Sequence, residues 1–116
     1  MTQFVLKSTN GAVLSWSPEG QKSAREFVYS VAKSGKLAGA DLDDLLAQAR
    51  AAGDAGSITP DGKLNLTGLK LEYADFSGVR ATKVDLSRSY LSGAVLDHAD
   101  FSGARLDEVD LSGTRM

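Results

Sequence analysis

Few residues in this chain are suited to chemistry. Its 116 residues contain one histidine and no cysteine. His98 would have to serve as a metal ligand or general base without a second His or a Cys to complete a ligand set, and it reads as an exposed loop residue. Asp97, Asp100, Asp107, Glu108 and Asp110 cluster along the chain. Carboxylates so grouped can hold a cation or work as a paired general acid and base; the simpler reading is a solvated surface. Serines are many, but none has an evident His–Asp partner. Gly68, Gly78, Gly93, Gly103 and Gly113 form neither GxGxxG nor a phosphate-binding loop. No catalytic, cofactor-binding or metal residues are expected, and the chain reads as a binding protein rather than an enzyme.

The elements that must present any binding residues come from the stretch Leu64 to Met116. It divides into fives: LNLTG, LKLEY, ADFSG, VRATK, VDLSR, SYLSG, AVLDH, ADFSG, ARLDE, VDLSG, TRM. The third position is apolar throughout: Leu66, Leu71, Phe76, Ala81, Leu86, Leu91, Leu96, Phe101, Leu106, Leu111, Met116. The first position is small or aliphatic nearly throughout, and the rest are mostly polar or Gly. A period of five fits neither a helix nor a strand. Sustained over ten steps, it marks a structural repeat.

The pattern resembles the pentapeptide-repeat family, whose motif is A(D/N)LxX. The nearest matches are Ala74-Asp75-Phe76-Ser77-Gly78, Ala99-Asp100-Phe101-Ser102-Gly103 and Val109-Asp110-Leu111-Ser112-Gly113. The resemblance implies a mainly β fold, a right-handed quadrilateral β-helix with one pentad per side, four per coil and the third residue inward. Twenty-residue coils would stack Phe101 on Ala81, large on small. The family's quinolone-resistance members act as DNA mimics of gyrase's substrate, and the prelude AKSGKLAGADL also looks like the leader of small bacterial and phage members.

Residues 1–62 read as an N-terminal α/β cap and residues 63–116 as the repeat. A hairpin is expected over 3–16, with Asn10-Gly11 as a type I′ turn; this register pairs Thr9 with Ala12, Lys7 with Leu14 and Val5 with Trp16. Ser23-Ala24-Arg25-Glu26 is a capping box opening a helix over 24–34, with Ala24, Phe27, Val28, Val31 and Ala32 on one stripe. Leu37 to Leu42 looks like a pair of pentads but is out of phase, since Leu42 and Leu66 lie 24 residues apart. Asp41 as N-cap and Gly53 as stop predict a second helix over 42–52, replacing a coil. Residues 53–62 form a loop with a Pro-Asp-Gly turn. A cap is physically needed, because an uncovered coil exposes unpaired backbone.

The formal net charge of −2 leaves no basic footprint for nucleic acid, and no apolar run approaches the ~20 residues of a membrane span. A cytoplasmic protein is expected. Stacking at twenty residues brings Arg80 to Asp100, Asp85 to Arg105 and Arg88 to Glu108. Within 63–116 there are seven Lys/Arg and eight Asp/Glu, interleaved. Such pairs are worth only ~0–1 kcal/mol each, but they cancel the long-range field that a DNA mimic needs. Under three coils at ~4.8 Å make a rod of only roughly 13 Å.

The register turns Tyr73, Tyr90 and Val95 outward, though Tyr73 can instead pack over Gly93. With Arg88, Asp97 and Asp100 they are the candidate partner-binding residues, and Trp16 on the hairpin is a further contact candidate. Phe101, Leu106, Leu111 and Met116 lie near the end of the repeat and predict a homodimer through the C-terminal coils. The expected function is a small, phage-derived inhibitor of a nucleic-acid-handling enzyme or of a host defence complex such as CRISPR-Cas. A DNA-mimic binder of gyrase or topoisomerase and a structural self-assembling adaptor are the alternatives. The expected partner is a protein, with no direct nucleic-acid binding, no membrane and no cofactor.

Overall fold

A computed structural model describes residues 4–7, 13–16 and 23–115. Strands β1 (Phe4–Lys7) and β2 (Val13–Trp16) are followed by helices α1 (Ala24–Lys33) and α2 (Leu42–Ala52). A short 3₁₀ turn (Ala55–Ser57) then leads to β3 (Leu64–Asn65) and, further on, β4 (Val84–Asp85).

The helices start where the sequence supplies caps. The Ser23 side chain accepts the Glu26 N–H at 3.2 Å, and the Asp41 carboxylate accepts the Asp44 N–H at 3.1 Å. Gly53, at φ 70°, ends α2 in the left-handed region that favours glycine. Phe27, Val28 and Val31 of α1 and Leu42, Leu45 and Leu46 of α2 are buried in one core with the inward leucines of the repeat.

The hairpin register differs from the expected one. β1 and β2 pair antiparallel with Phe4 opposite Trp16, Val5 opposite Ser15, Leu6 opposite Leu14 and Lys7 opposite Val13. This is one residue away from the alignment that places Val5 opposite Trp16, and the Asn10-Gly11 turn itself lies outside the described residues. The cause is α2. Gln48 Nε2 donates to the Val5 carbonyl and Gln48 Oε1 accepts the Val5 N–H, both at 2.7 Å, and the Asp41 N–H donates to the Lys7 carbonyl at 2.8 Å. Val5 and Lys7 thus turn their backbone groups to α2. Phe4 and Leu6 are left to turn theirs to β2, because successive residues of an extended strand face opposite edges.

From Leu64 onward the chain returns to itself every twenty residues. Leu64 pairs with Val84 and Asn65 with Asp85 in parallel. Single parallel bridges join Lys70 to Tyr90, Asp75 to Val95, Arg80 to Asp100, Asp85 to Arg105, Tyr90 to Asp110 and Val95 to Arg115. The bridges fall on four lines, five residues apart. Within the repeat, regular strand is confined to the two residues each of β3 and β4, so the mainly β expectation holds there only as a set of short bridges. A corner every five residues leaves about one residue per side free to lie extended.

Most corners are closed by a tight turn from the third position to the first of the next pentad: Ala74 N–H to Leu71 C=O at 3.1 Å, Val79 to Phe76 at 3.0 Å, Ala94 to Leu91 at 3.0 Å. At every corner of the repeat but the one at Lys83, the residue before the end of the turn has positive φ. Glycine supplies this at Gly68, Gly78, Gly93, Gly103 and Gly113, but Tyr73, Arg88, His98 and Glu108 supply it as non-glycine residues. Second-position carboxylates complete the turns. Ser77, Ser102 and Ser112 donate their backbone N–H and their hydroxyl to Asp75, Asp100 and Asp110, two residues before.

The Leu37–Leu42 segment requires a correction. It is out of phase along the chain but in phase in space. The Ala40 N–H closes a turn on Leu37 C=O at 3.0 Å, with Gly39 at φ 74°, as in the pentads. Asp41 bridges Arg80 in parallel, and Leu42 N–H donates to Arg80 C=O at 2.9 Å. Leu37 and Leu42 are fully buried. The segment therefore forms part of a coil beneath Phe76 and Ala81. The bridge spans 39 residues where the repeat spans 20, so 19 residues, mostly α2 and its loop, are inserted.

Asp43, just past this pentad, closes the corner of the next coil. Its carboxylate accepts the Thr82 N–H and hydroxyl at 3.2 and 2.6 Å and the Lys83 N–H at 2.9 Å. On the other side of the cap, Arg25 donates to Asn65 and to the Thr67 carbonyl, and burial holds its pKa below the ordinary value.

Candidate functional site

Three surfaces emerge from this framework. The first is an edge of the coil formed by Tyr73, Tyr90 and Val95. Tyr90 lies on the line between Lys70 and Asp110, and Val95 on the next line between Asp75 and Arg115. Tyr73 stands at the corner between them. A Cβ added at Gly93 would lie 2.5 Å from the Tyr73 ring carbons, so the ring crosses directly over that glycine. Even so, Tyr73 remains 80% exposed and Tyr90 46% exposed, while Val95 is half-buried. The ring is offered to solvent on one face and seated on backbone with the other. The side chain of Trp16 lies outside what is described.

The other sequence candidates do not join this edge. Arg88 is exposed at the preceding corner, at φ 61°. Asp97 pairs with Arg115 at 3.1 Å. Asp100 sits two bridge lines from Tyr90, and the Ser102 hydroxyl holds its carboxyl below the usual range, aided by the Ser102 N–H and by the charge of Arg80. The expected charge pairs also need correcting. Arg80 and Asp100, and Asp85 and Arg105, are bridged through their backbones, but the close ion pairs are Arg80–Asp43 at 3.4 Å, Arg105–Asp107 at 2.7 Å and Arg115–Asp97. Ser102 bonds one oxygen of Asp100, and Arg80 lies against the largely buried Asp43 of α2.

The second surface was not singled out from sequence. On the Asn65–Asp85–Arg105 line, a recess of about 350 Å³ is lined by Asp85, Ser87, Arg88, Arg105, Asp107 and Glu108. Asp85 and Ser87 are buried there. Asp85-Leu86-Ser87 reads like the other Asp-x-Ser triplets, and the one signal that sets it apart is Arg88 where Gly78, Gly103 and Gly113 follow the others. His98 is exposed at a corner, at φ 60°, and among the described residues no group of three or more His, Cys, Asp or Glu side chains is placed to hold a metal ion.

The third surface is the end of the last coil. Leu106 and Leu111 are 38% and 37% exposed, against 0–1% for Leu66, Leu71, Leu86 and Leu91 in earlier coils. Phe101 is half-buried, and its ring packs against that of Phe76, with centroids 6.0 Å apart and planes at 55°. Met116 lies outside the described residues. Among the described residues no helix is long and apolar enough to cross a membrane.

A family model described as pentapeptide repeats matches residues 64–96 and 85–116, with eight copies. No curated protein and no solved structure matches the chain.

Proposed function

We propose, from the match of residues 64–116 to the pentapeptide-repeat family model, that the chain is a non-catalytic protein-binding module. Its most concrete form is a small cytoplasmic inhibitor, of phage origin, directed at a nucleic-acid-handling enzyme or a host defence complex such as CRISPR-Cas. The observation that carries the binding reading is the Tyr73–Tyr90–Val95 edge. Two tyrosines stand exposed beside an aliphatic residue on a scaffold stitched by backbone hydrogen bonds, and rigid aromatic anchors suit recognition at low entropic cost. Four lines of bridges five residues apart support the right-handed quadrilateral β-helix as the scaffold, with residues 1–62 as its cap.

The gyrase-directed DNA mimic is less well supported, because Arg80, Arg105 and Arg115 each neutralise a carboxylate and break any continuous acidic face. A self-assembling adaptor is favoured by one observation, the exposed Leu106 and Leu111 at the coil end, which would pair two copies. Affinity capture from bacterial lysate with the wild type and a Tyr73→Ala/Tyr90→Ala variant tests the reading. Enrichment of a nucleic-acid enzyme or defence complex that the folded variant loses is expected. A wild type that captures nothing overturns the inhibitor.

A further inference from the structure

The backbone bonding of the repeat has a direction. On the side that carries Lys70, Tyr90 and Asp110, each coil is joined to the next by the same three groups. The N–H groups of the third and fifth residues donate forward: Leu71 to Tyr90 C=O and Tyr73 to Ser92 C=O, then Leu91 to Asp110 C=O and Gly93 to Ser112 C=O, all at 2.8–3.0 Å. The first residue's C=O accepts from the next coil, Leu69 from Tyr90 at 2.9 Å and Ser89 from Asp110 at 3.1 Å. In the last coil this series is left open. Among the described residues Leu111 N–H, Gly113 N–H and Val109 C=O have no partner. Leu111 and Gly113 are exposed and Val109 is half-buried. One coil below on the same side stands Tyr90, 46% exposed, so the open edge continues the aromatic one.

That direction decides what can cover the edge. Two N–H groups stand open for one C=O, so a second copy meeting it face to face covers the leucines but leaves donors over. The opposite end of a second copy would offer the matching carbonyls, but on three sides they are taken. Arg25 Nη1 and Nη2 donate to the Asn65 and Thr67 carbonyls at 3.2 and 2.6 Å. Gly39 N–H donates to Ser77 C=O at 2.7 Å and Leu42 N–H to Arg80 C=O at 2.9 Å. An extended strand parallel to Val109–Gly113 matches every open group. The N–H and C=O of one of its residues reach Val109 and Leu111, and the C=O two residues on reaches Gly113. Unpaired edges are templates for such addition, in which the main chain gives affinity and alternate side chains give specificity. Here both kinds of side chain are defined. The inward one lies on Leu111 and is apolar. The outward one follows Asp110 on the Lys70–Tyr90–Asp110 line. Asp110 stays ionised, since the Ser112 hydroxyl holds its pKa below the usual range, and an opposite charge beside it is favoured.

We propose that the Val109–Gly113 edge receives an extended strand of a protein partner, added in parallel, with a basic residue beside Asp110 and an apolar one on Leu111. The proposal rests on the protein-binding reading and names the form in which the partner docks. Strand and second copy compete for this end, and the strand, which leaves no donor over, displaces the copy. The full chain is titrated with acetyl-Val-Lys-Leu-Thr-Val-amide and with the same peptide N-methylated at lysine, following amide NMR shifts and solvent exchange. The first peptide is expected to saturate and to slow exchange of the Leu111 and Gly113 amides about tenfold. The N-methylated peptide cannot donate to Val109 and is expected to bind about tenfold more weakly; Leu111→Glu should weaken the first peptide by at least as much. Shifts that fail to saturate, equal binding of the two peptides, or protection at Phe101 and Gly103 in place of Leu111 and Gly113 overturn the site. Leu111 and Gly113 amides that are protected without peptide and open on dilution assign the edge to a second copy and overturn it too. If a captured protein is retained equally by Leu111→Glu, its strand does not dock here and the proposal falls, while the binding-module reading stands. If the wild type captures no protein yet the peptide saturates the edge, the partner as source falls and the strand chemistry stands.

Discussion

Asp110 and Ser112 show how single residues hold a corner together. The serine hydroxyl and N–H both bond the carboxylate, and they keep its pKa below the usual range; Asp100 is held low by Ser102 in the same way. Each carboxylate binds its proton more weakly in the folded chain than in the unfolded one. Its contribution to stability is therefore complete above the unfolded value of about 3.9 and is lost as the pH falls through the lower folded value. Urea unfolding is expected to show falling midpoints below about pH 4, and Ser112→Ala should flatten that fall. An unchanged pH profile in Ser112→Ala would refute the role given to the hydroxyl. This motif was legible in the repeated Asp-x-Ser triplets. The Ser87 hydroxyl, which makes no such bond, was not, because its triplet is spelled as the others are and only the residue after it differs.

At the scale of elements, α2 does more than cover the core. Through Gln48 and Asp41 it sets the register of the hairpin, and through Asp43 it closes a corner of the repeat. Asp43→Ala leaves two backbone N–H groups and a hydroxyl without their acceptor and is expected to cost about 2–3 kcal/mol, with Asp43→Asn costing less. Thermal or urea unfolding measures both, and a cost within error of zero for Asp43→Ala would show that water serves those donors equally well. The caps of α1 and α2 could be read because they are local, with Ser23 and Asp41 three residues from the N–H groups they accept. The hairpin alignment could not, since the Asn-Gly signal speaks only for the turn and the partner that decides the edge, Gln48, lies 43 residues from Val5. The ion pairs escaped for the same reason: counting by twenties cannot foresee that Asp43 of α2 draws Arg80 away from Asp100.

Across the whole molecule, burial is graded along the axis. Inward residues from Leu66 to Leu86 are sealed, Leu96 and Phe101 are half-buried, and Leu106 and Leu111 are more than a third exposed. Among the described residues the inward side chains with the least cover are Leu106 and Leu111, and the homodimer is proposed on that exposure. Light scattering is expected to give twice the chain mass for the wild type and the monomer mass for Leu106→Glu/Leu111→Glu; a monomeric wild type removes the dimer. The twenty-residue return was legible because the third position of every pentad is apolar. The extra, spatially phased pentad at Leu37–Leu42 was not, because 19 inserted residues interrupt the count. That insertion carries a wider consequence. A coil corner accepts a detour of this length while the pentads on either side stay in step, so the five-beat rhythm belongs to the cross-section and not to the thread. Corners of this kind are natural grafting points, where a foreign segment with closely spaced ends can be carried without disturbing the stack above it.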